Sequence, residues 1–304
     1  MTIKFEEVRD IFRSGGLKDP LLETRRLFEI VSGEMPGDGK TAFALPDINL
    51  SQVAQKRKAG VPLEYILGRV CFGELRLHCT SDTIIPTEYT TLLVDVALGF
   101  IEKRQRLERD QVIVEVGTGC GNIAVLLAKR TRDVTIIASD VSPEALKVAR
   151  KNVEKYKVEN AVSLVCGDLF GPFYDLGYQG KIDLILCNPP YIPTRSLDRL
   201  PAEISGHQPR IALDGGPYGI SFFQRLLFEA RPMLKSGGML IFEIGVGQEK
   251  LITWLLNRDD GYDNIVCHKD SAGTIRVVSI RKVSLISDGL SAWEETRSES
   301  SDRR

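Results

Sequence analysis

The sequence predicts an α/β fold: a mainly parallel sheet covered by helices on both faces, preceded by a smaller helical region. Three observations carry this. From Gln111 onward, apolar segments of strand length alternate with helix-like segments. The strand segments are near-continuous apolar runs, as in sheets buried on both sides. A glycine-rich turn joins the first of these strands to the first of these helices. The chain, 304 residues with 43% hydrophobic and 27% charged composition, is long enough for one large domain and a smaller one.

Residues 1–68 read as a helical recognition domain. "DPLLETRRLFEIVSG" opens with Asp19 as N-cap and Pro20 at the first helical position. It carries Leu21, Leu22, Leu27, Phe28 and Val31 at roughly helical spacing and closes on Gly33. "NLSQVAQKRKAG" is a second helix and "VPLEYILG" a short helical turn ending at Gly68. Residues 69–86 form a linker, with a hairpin over Val70–Cys79 that turns at Gly73-Glu74. The main domain, 87–283, begins with an amphipathic helix apolar at Leu92, Leu93, Val96, Ala97 and Phe100. "QVIVEVG", "VTIIASD", "AVSLVCGD", "KIDLILCN" and "GGMLIFEIG" follow as strands separated by helices. "YDNIVCHKD" and "TIRVVSIRK" close the domain as a strand pair. One of the helices, "SPEALKVARKNVEKY", is capped by Ser142 with Pro143 behind it. Residues 284–304, polar and rich in serine, predict a disordered tail.

Composition excludes several classes. A net charge of −1 and a pI near 6.4 give no footprint for a nucleic acid partner. The basic runs "QKRKAG" and "EKRQRLERD" read as solvated helix faces. No apolar run is long enough to span a membrane, and the first residues lack the apolar core of a signal peptide. Six scattered cysteines without a C-x-x-C pair predict reduced, buried thiols in a cytoplasmic protein. Three distant histidines give little support to a metal site: His78 and His268 read as strand residues and His207 as a loop residue.

The chemistry concentrates in two stretches. In "VIVEVGTGCGNIAVLL", Gly117, Gly119 and Gly121 sit between strand and helix, where glycine permits a tight turn and close approach of backbone to a ligand. Asp140 ends the next strand, at the spacing of a carboxylate that accepts hydrogen bonds from ribose hydroxyls. The G-x-G-x-G spacing, with Glu115 two residues before the first glycine, departs from the dinucleotide pattern. It favours S-adenosylmethionine over NAD. Glu115, Gly117, Thr118, Gly119, Gly121 and Asp140 are therefore candidate cofactor-binding residues, with Asp168 placed for the adenine amino group and Leu169 for its face.

The second stretch is "LILCNPPYIP". A buried strand ends on Asn188, two prolines and Tyr191, on the sheet edge where the cofactor loop opens. The Asn188 side-chain carbonyl and the Pro189 backbone carbonyl suit the two hydrogens of an –NH2 group. Pro190 restricts Pro189 to extended conformations, and Tyr191 can stack on a planar acceptor. Asn188, Pro189 and Tyr191 are the candidate catalytic residues. Asn188, Pro189, Pro190 and Tyr191 are the candidate substrate-binding residues, with Asn188 also beside the methyl donor.

Together with "PLEYILG", "EVGTGCG", "SDVSPEAL", "NPPYIP", "ALDGGPYG", "FEIGVGQ" and "KDSAGTIRVV", in this order, the chain resembles the HemK/PrmC family of protein-glutamine N5-methyltransferases over roughly residues 20–282. The resemblance implies a helical substrate domain and a Rossmann-like, seven-stranded S-adenosylmethionine domain. It implies methylation of the Gly-Gly-Gln glutamine of a peptide-chain release factor. Cofactor contacts fall on Gly117, Gly119, Gly121, Asp140, Leu169 and Asn188, and amide contacts on Asn188, Pro189 and Tyr191. Two segments depart from the family pattern. "IPTEYTT" stands where the family has I-P-R-P-E-T-E, and "GHQPRIAL" has Gln208 where the family has Glu before the proline. These departures keep open a small-molecule amine or amide as acceptor. Adenine N6-methylation of DNA or RNA and a silent binding protein are further alternatives, disfavoured by the charge and by the intact motif residues respectively.

Overall fold

The computed structural model describes residues 2–33, 42–44, 48–105 and 110–283. The expected tail and the middle of the "EKRQRLERD" run lie outside the described residues. The chain opens with β1 (Thr2–Lys4), which pairs antiparallel with β2 (Ala42–Ala44). The all-helical expectation for this region misses that sheet, because three-residue strands are too short to show a period of two. Between and after these strands lie α1 (Phe5–Ser14), α2 (Pro20–Ser32), α3 (Leu50–Lys58) and α4 (Leu63–Leu67). The Asp19 carboxylate caps α2 by accepting from the Leu22 N–H at 2.9 Å, and Gly33 ends the helix with φ 78°. The apolar sides of these helices close on a core of their own, with Phe5, Val8, Phe12, Leu27, Phe28 and Leu63 at its centre.

In the basic run of α3, Lys56 and Lys58 are exposed as expected of a solvated face, but Arg57 is not. The Arg57 side chain is only 8% exposed and bridges Glu23 of α2 at 2.6 Å and Glu203 at 3.0 Å, while Arg26 pairs with Glu64 at 2.8 Å. A residue-type reading sees the charge but not the carboxylates that other segments bring to it. In the second run, Arg104 reaches the fully buried Asp183, which also holds Lys235 at 2.8 Å.

A hairpin of β3 (Arg69–Phe72) and β4 (Leu75–His78) leads to α5 (Thr91–Gln105). The main sheet then builds in order: β5 (Gln111–Val116), α6 (Asn122–Arg130), β6 (Val134–Asp140), α7 (Pro143–Tyr156), β7 (Val162–Cys166), α8 (Gly171–Asp175) and β8 (Ile182–Cys187). After these come α9 (Ala202–Ser205), α10 (Ser221–Met233), β9 (Leu234–Glu243), α11 (Glu249–Leu256), β10 (Tyr262–Lys269) and β11 (Ile275–Lys282). The seven strands lie in the order β10-β11-β9-β8-β5-β6-β7. β9, β8, β5, β6 and β7 run parallel, while β11 pairs antiparallel with both β9 and β10. This is a mixed, Rossmann-like sheet. Its two faces bury separate clusters, one under the hairpin and α5–α7, the other under α10 and α11.

Every residue of β8 is buried, which explains its apolar run from Leu184 to Cys187; the one charged residue, Asp183, is neutralised by Arg104 and Lys235. The connection direction reverses between β5 and β8, so the crevice beyond their carboxyl ends is where such a sheet places ligands. Cys79, Cys120 and Cys187 are buried, as expected of the thiols. Cys166 and Cys267 are exposed because they sit on the two edge strands.

Candidate active site

A cavity of about 440 Å³ opens at that crevice, within the usual size range of small-molecule sites. The glycine loop forms one wall. The N–H groups of Gly117 and Thr118 both donate to the Ser139 carbonyl, at 2.8 and 2.9 Å, which folds the turn back on the end of β6. Gly117 and Gly119 have φ of 74° and 54°, which disfavours any side chain. A Cβ on either would meet no atom within 4 Å. The loop therefore presents bare backbone to open space.

Asp140 closes this wall. Its Oδ2 accepts from the Gly119 N–H at 2.8 Å and its Oδ1 from the Ser142 N–H at 2.9 Å. Each oxygen keeps a further lone pair for a vicinal diol. Leu169 also lines the cavity. It is buried and holds φ 44°, a left-handed backbone that costs a non-glycine residue energy and fixes its side chain against the cavity wall. Asp168 lines the cavity as well, but its carboxylate is paired with Arg225 at 2.8 Å. That pairing competes with the adenine contact expected for it.

Three residues expected at the cofactor do not line the cavity. Glu115 is buried behind the loop, where its Oε2 accepts from the Thr118 hydroxyl and the Ala124 N–H, both at 2.9 Å. It ties the loop to the first turn of α6, and Thr118 is the other end of that tie. Burial pushes the Glu115 carboxyl up to about 8, against the two hydrogen bonds that favour its charge. Gly121 serves packing: a Cβ there would stand 3.3 Å from the Ala149 side chain, so its absence lets α6 close on α7. Sequence spacing locates the loop but not which of its residues face outward.

The opposite wall is Asn188, Pro189, Pro190 and Tyr191. Three separated segments hold these residues. Gly215 and Gly219 lie against them; a Cβ on Gly219 would sit 2.3 Å from the Tyr191 carbonyl oxygen, and one on Gly215 would sit 2.8 Å from Tyr191 Cα. The Gln248 side-chain amide donates to the Tyr191 carbonyl at 3.0 Å and to the Gly219 carbonyl at 3.1 Å, and its Oε1 accepts from the Gly245 N–H. Residues after the motif return through a bridge between Ile192 and Asp214, which brings Ile211, Ala212 and Leu213 to the cavity rim.

Two side chains that the sequence reading did not single out complete the site. Glu243, at the end of β9, is buried. Its Oε2 accepts from the Thr90 hydroxyl at 2.6 Å and its Oε1 from the Tyr191 hydroxyl at 3.3 Å. The Thr90 proton is thereby committed, so Thr90 Oγ1 faces Asn188 Nδ2 as an acceptor, at a long 3.5 Å. This orientation leaves Asn188 Oδ1 without a partner among the described residues and turned to other use. Burial raises the Glu243 carboxyl to about 7. The "IPTEYTT" segment thus contributes Thr90 to the site. An acid ending a buried parallel strand, as in "IVEVG", recurs in "LIFEIG" and was the available signal for Glu243.

S-adenosylmethionine fits these residues. Bare loop backbone at Gly117 and Gly119 and the paired oxygens of Asp140 suit a ribose-bearing ligand that has no pyrophosphate. Among the described residues no cluster of His, Cys, Asp and Glu is arranged to hold a metal ion, and no helix is long and apolar enough to cross a membrane.

The Methyltransferase small domain family matches residues 92–200. A release factor glutamine methyltransferase of Moorella thermoacetica is 37% identical, over 74% of this chain and 76% of its own length. Those of Coxiella burnetii and Rhodopirellula baltica are 34% and 30% identical, over 87% and 91% of this chain and 93% and 94% of their own lengths. Among solved structures, the hMettl16 catalytic domain, in complex with the MAT2A 3'UTR hairpin 6, aligns with a TM-score of 0.51. It is 15% identical over 68% of this chain and 74% of that one, which shows a shared fold. By relatedness across nearly the whole sequence, and with a cavity suited to S-adenosylmethionine, the chain belongs to the release factor glutamine methyltransferase family of S-adenosylmethionine-dependent methyltransferases.

Proposed function

We propose that this protein methylates the side-chain amide nitrogen of a glutamine, that of the Gly-Gly-Gln motif in a peptide-chain release factor. The observation that carries the reading is the pair of acceptors at the end of β8. Asn188 Oδ1 has no partner among the described residues, and Pro189 offers a backbone carbonyl beside it on the same cavity wall. One –NH2 group satisfies both.

S-adenosylmethionine supplies an electrophilic methyl group on a positively charged sulfur. The protein's contribution is to the acceptor. An amide nitrogen is a poor nucleophile because its lone pair is delocalised into the carbonyl. Holding both hydrogens fixes the plane of the group and turns the lone pair toward the cofactor wall. The two carbonyl dipoles also stabilise positive charge growing on that nitrogen. Tyr191, anchored through its hydroxyl to Glu243, presents its ring to the planar amide. The names of the full-length relatives support the release factor as the acceptor.

The test is mass spectrometry of a purified release factor after incubation with the protein and S-adenosylmethionine. The expected result is one added methyl on the Gly-Gly-Gln glutamine, absent with Asn188→Ala. An unmodified release factor, from a protein that binds the cofactor, would overturn the reading.

A further inference from the structure

Away from the active site, strand alternation builds a cationic groove. In the β3–β4 hairpin, Val70, Phe72, Leu75 and Leu77 point to the core. The other face therefore carries Arg69, Cys71, Arg76 and His78, with Arg69 directly opposite His78 and Cys71 opposite Arg76. α7 runs alongside. Its exposed Lys151 and Lys155, four residues apart, lie on one helix face. The Lys155 ammonium and the Tyr156 hydroxyl both meet the Arg76 backbone carbonyl. Arg69, Arg76, His78, Lys155 and Tyr156 line an open groove of about 650 Å³ between the end of α4 and α7, and Lys151 stands one helical turn from Lys155 beside it.

Among the described residues, the cations here lack counter-charges, and Arg69 and Arg76 donate only to the backbone carbonyls of Leu67 and Val31, at 3.4 and 3.3 Å. No carboxylate lies within ion-pair distance of Arg69, Arg76, Lys151 or Lys155 among the described residues. The one acid in the lining, Glu74, has both oxygens committed to Arg130. The crowding is felt: burial and then Lys155, Lys151 and Arg69 hold His78 below its ordinary value, and burial and then Arg69 and Arg76 do the same to Lys155. In a chain of net charge −1, a concave cluster of one sign is a local feature with a cost in self-repulsion, which a bound anion relieves.

The groove is also near the chemistry. Asn152 holds the His78 N–H at 2.6 Å and His78 carbonyl at 3.0 Å, and the same side chain holds the carbonyl of Cys120 in the glycine loop at 2.8 Å. Four residues after His78, Asp82 lines the active-site cavity. Four residues of chain span at most about 14 Å, so one bound macromolecule can cover both.

We propose that this groove binds carboxylates of an acidic segment on the protein substrate. The assignment rests on the reading of that substrate as a release factor. Two guanidinium groups on one face suit planar carboxylates. The compactness of the cluster suits a short segment rather than a long polyanion.

The experiment is steady-state methylation of a full-length release factor by the wild type and by Lys151→Glu/Lys155→Glu, with calorimetric binding of S-adenosylmethionine and thermal melting as checks on folding. The expected result is KM for the release factor raised about tenfold, with its salt dependence flattened, while kcat and cofactor affinity stay as in the wild type. Unchanged KM in a folded variant overturns the groove assignment and leaves the methylation reading intact. Absence of methylation by the wild type overturns the substrate and, with it, the groove's ligand. Loss of RNA binding in a gel shift, with KM unchanged, overturns the assignment in favour of a nucleic acid.

Discussion

The two walls of the cavity are built in different ways. The cofactor wall is mostly the backbone of one short turn, exposed at Gly117 and Gly119, folded back on the Ser139 carbonyl and pinned by the carboxylate of Asp140. The acceptor wall is a four-residue motif held by side chains from distant segments: Thr90, Glu243 and Gln248, with Gly215 and Gly219 beneath. Local backbone gives a shape that tolerates little variation. Side chains from afar give an orientation that can be retuned one residue at a time. Binding should therefore be lost at the first wall and turnover at the second.

The largest expected break in this contrast is Asn188→Ala. Turnover should fall by about 10²–10³-fold, as when one preorganised polar group is removed from a reacting centre, with cofactor affinity little changed. Near-normal turnover would remove Asn188 from the chemistry. Asp140→Ala is the converse. Cofactor affinity should weaken about 10–100-fold through loss of charge-assisted hydrogen bonds, while kcat at saturating cofactor stays close to wild type; calorimetry and saturation kinetics separate the two. Thr90→Val sharpens the picture of the acceptor wall. It frees both Glu243 and the Asn188 amide, so kcat should drop about tenfold with cofactor binding unchanged, and Thr90→Ser should restore it. If Thr90→Ser fails as badly, the methyl group rather than the hydroxyl matters.

The effect that leaves turnover aside is one of pH on stability. Burial raises Glu115 to about 8 and Glu243 to about 7 from an ordinary 4.5. Between the ordinary and raised values the folded state holds protons that the unfolded chain has lost. Stability contributed by these groups is thus full in acid and declines as pH rises through that window. Chemical denaturation across the window should show the decline, and Glu115→Gln should flatten its upper part. A slope of opposite sign would mean that the buried carboxylates find partners that stabilise their charge.

The same contrast sets what the sequence makes legible. The alternation of strands and helices, the glycine loop and Asp140 are local signals, and they fix the sheet and the cofactor wall. The motif at Asn188 is equally local. Which loop residues face the ligand is not: Glu115, Thr118 and Gly121 turn inward because α6 and α7 pack there. Thr90 and Glu243 are some 150 positions apart and meet only when β9 docks beside β8. Arg57 escapes a local reading for the same reason, since its partners Glu23 and Glu203 lie far off in sequence.

Arg57 has a consequence for how the molecule comes apart. Its guanidinium is shared between α2 and α9, and α9 belongs to the connection that follows Tyr191. Separating the N-terminal helices from the sheet would leave Arg57 on Glu23 but strip Glu203 of both its arginine partners, Arg57 and Arg26, and a partly buried carboxylate without a partner is costly. The N-terminal core and the two clusters of the sheet should then lose their structure in a single calorimetric transition rather than one after the other. Arg57→Met leaves both Glu23 and Glu203 without it, so an earlier melt of the helices should separate from that of the sheet.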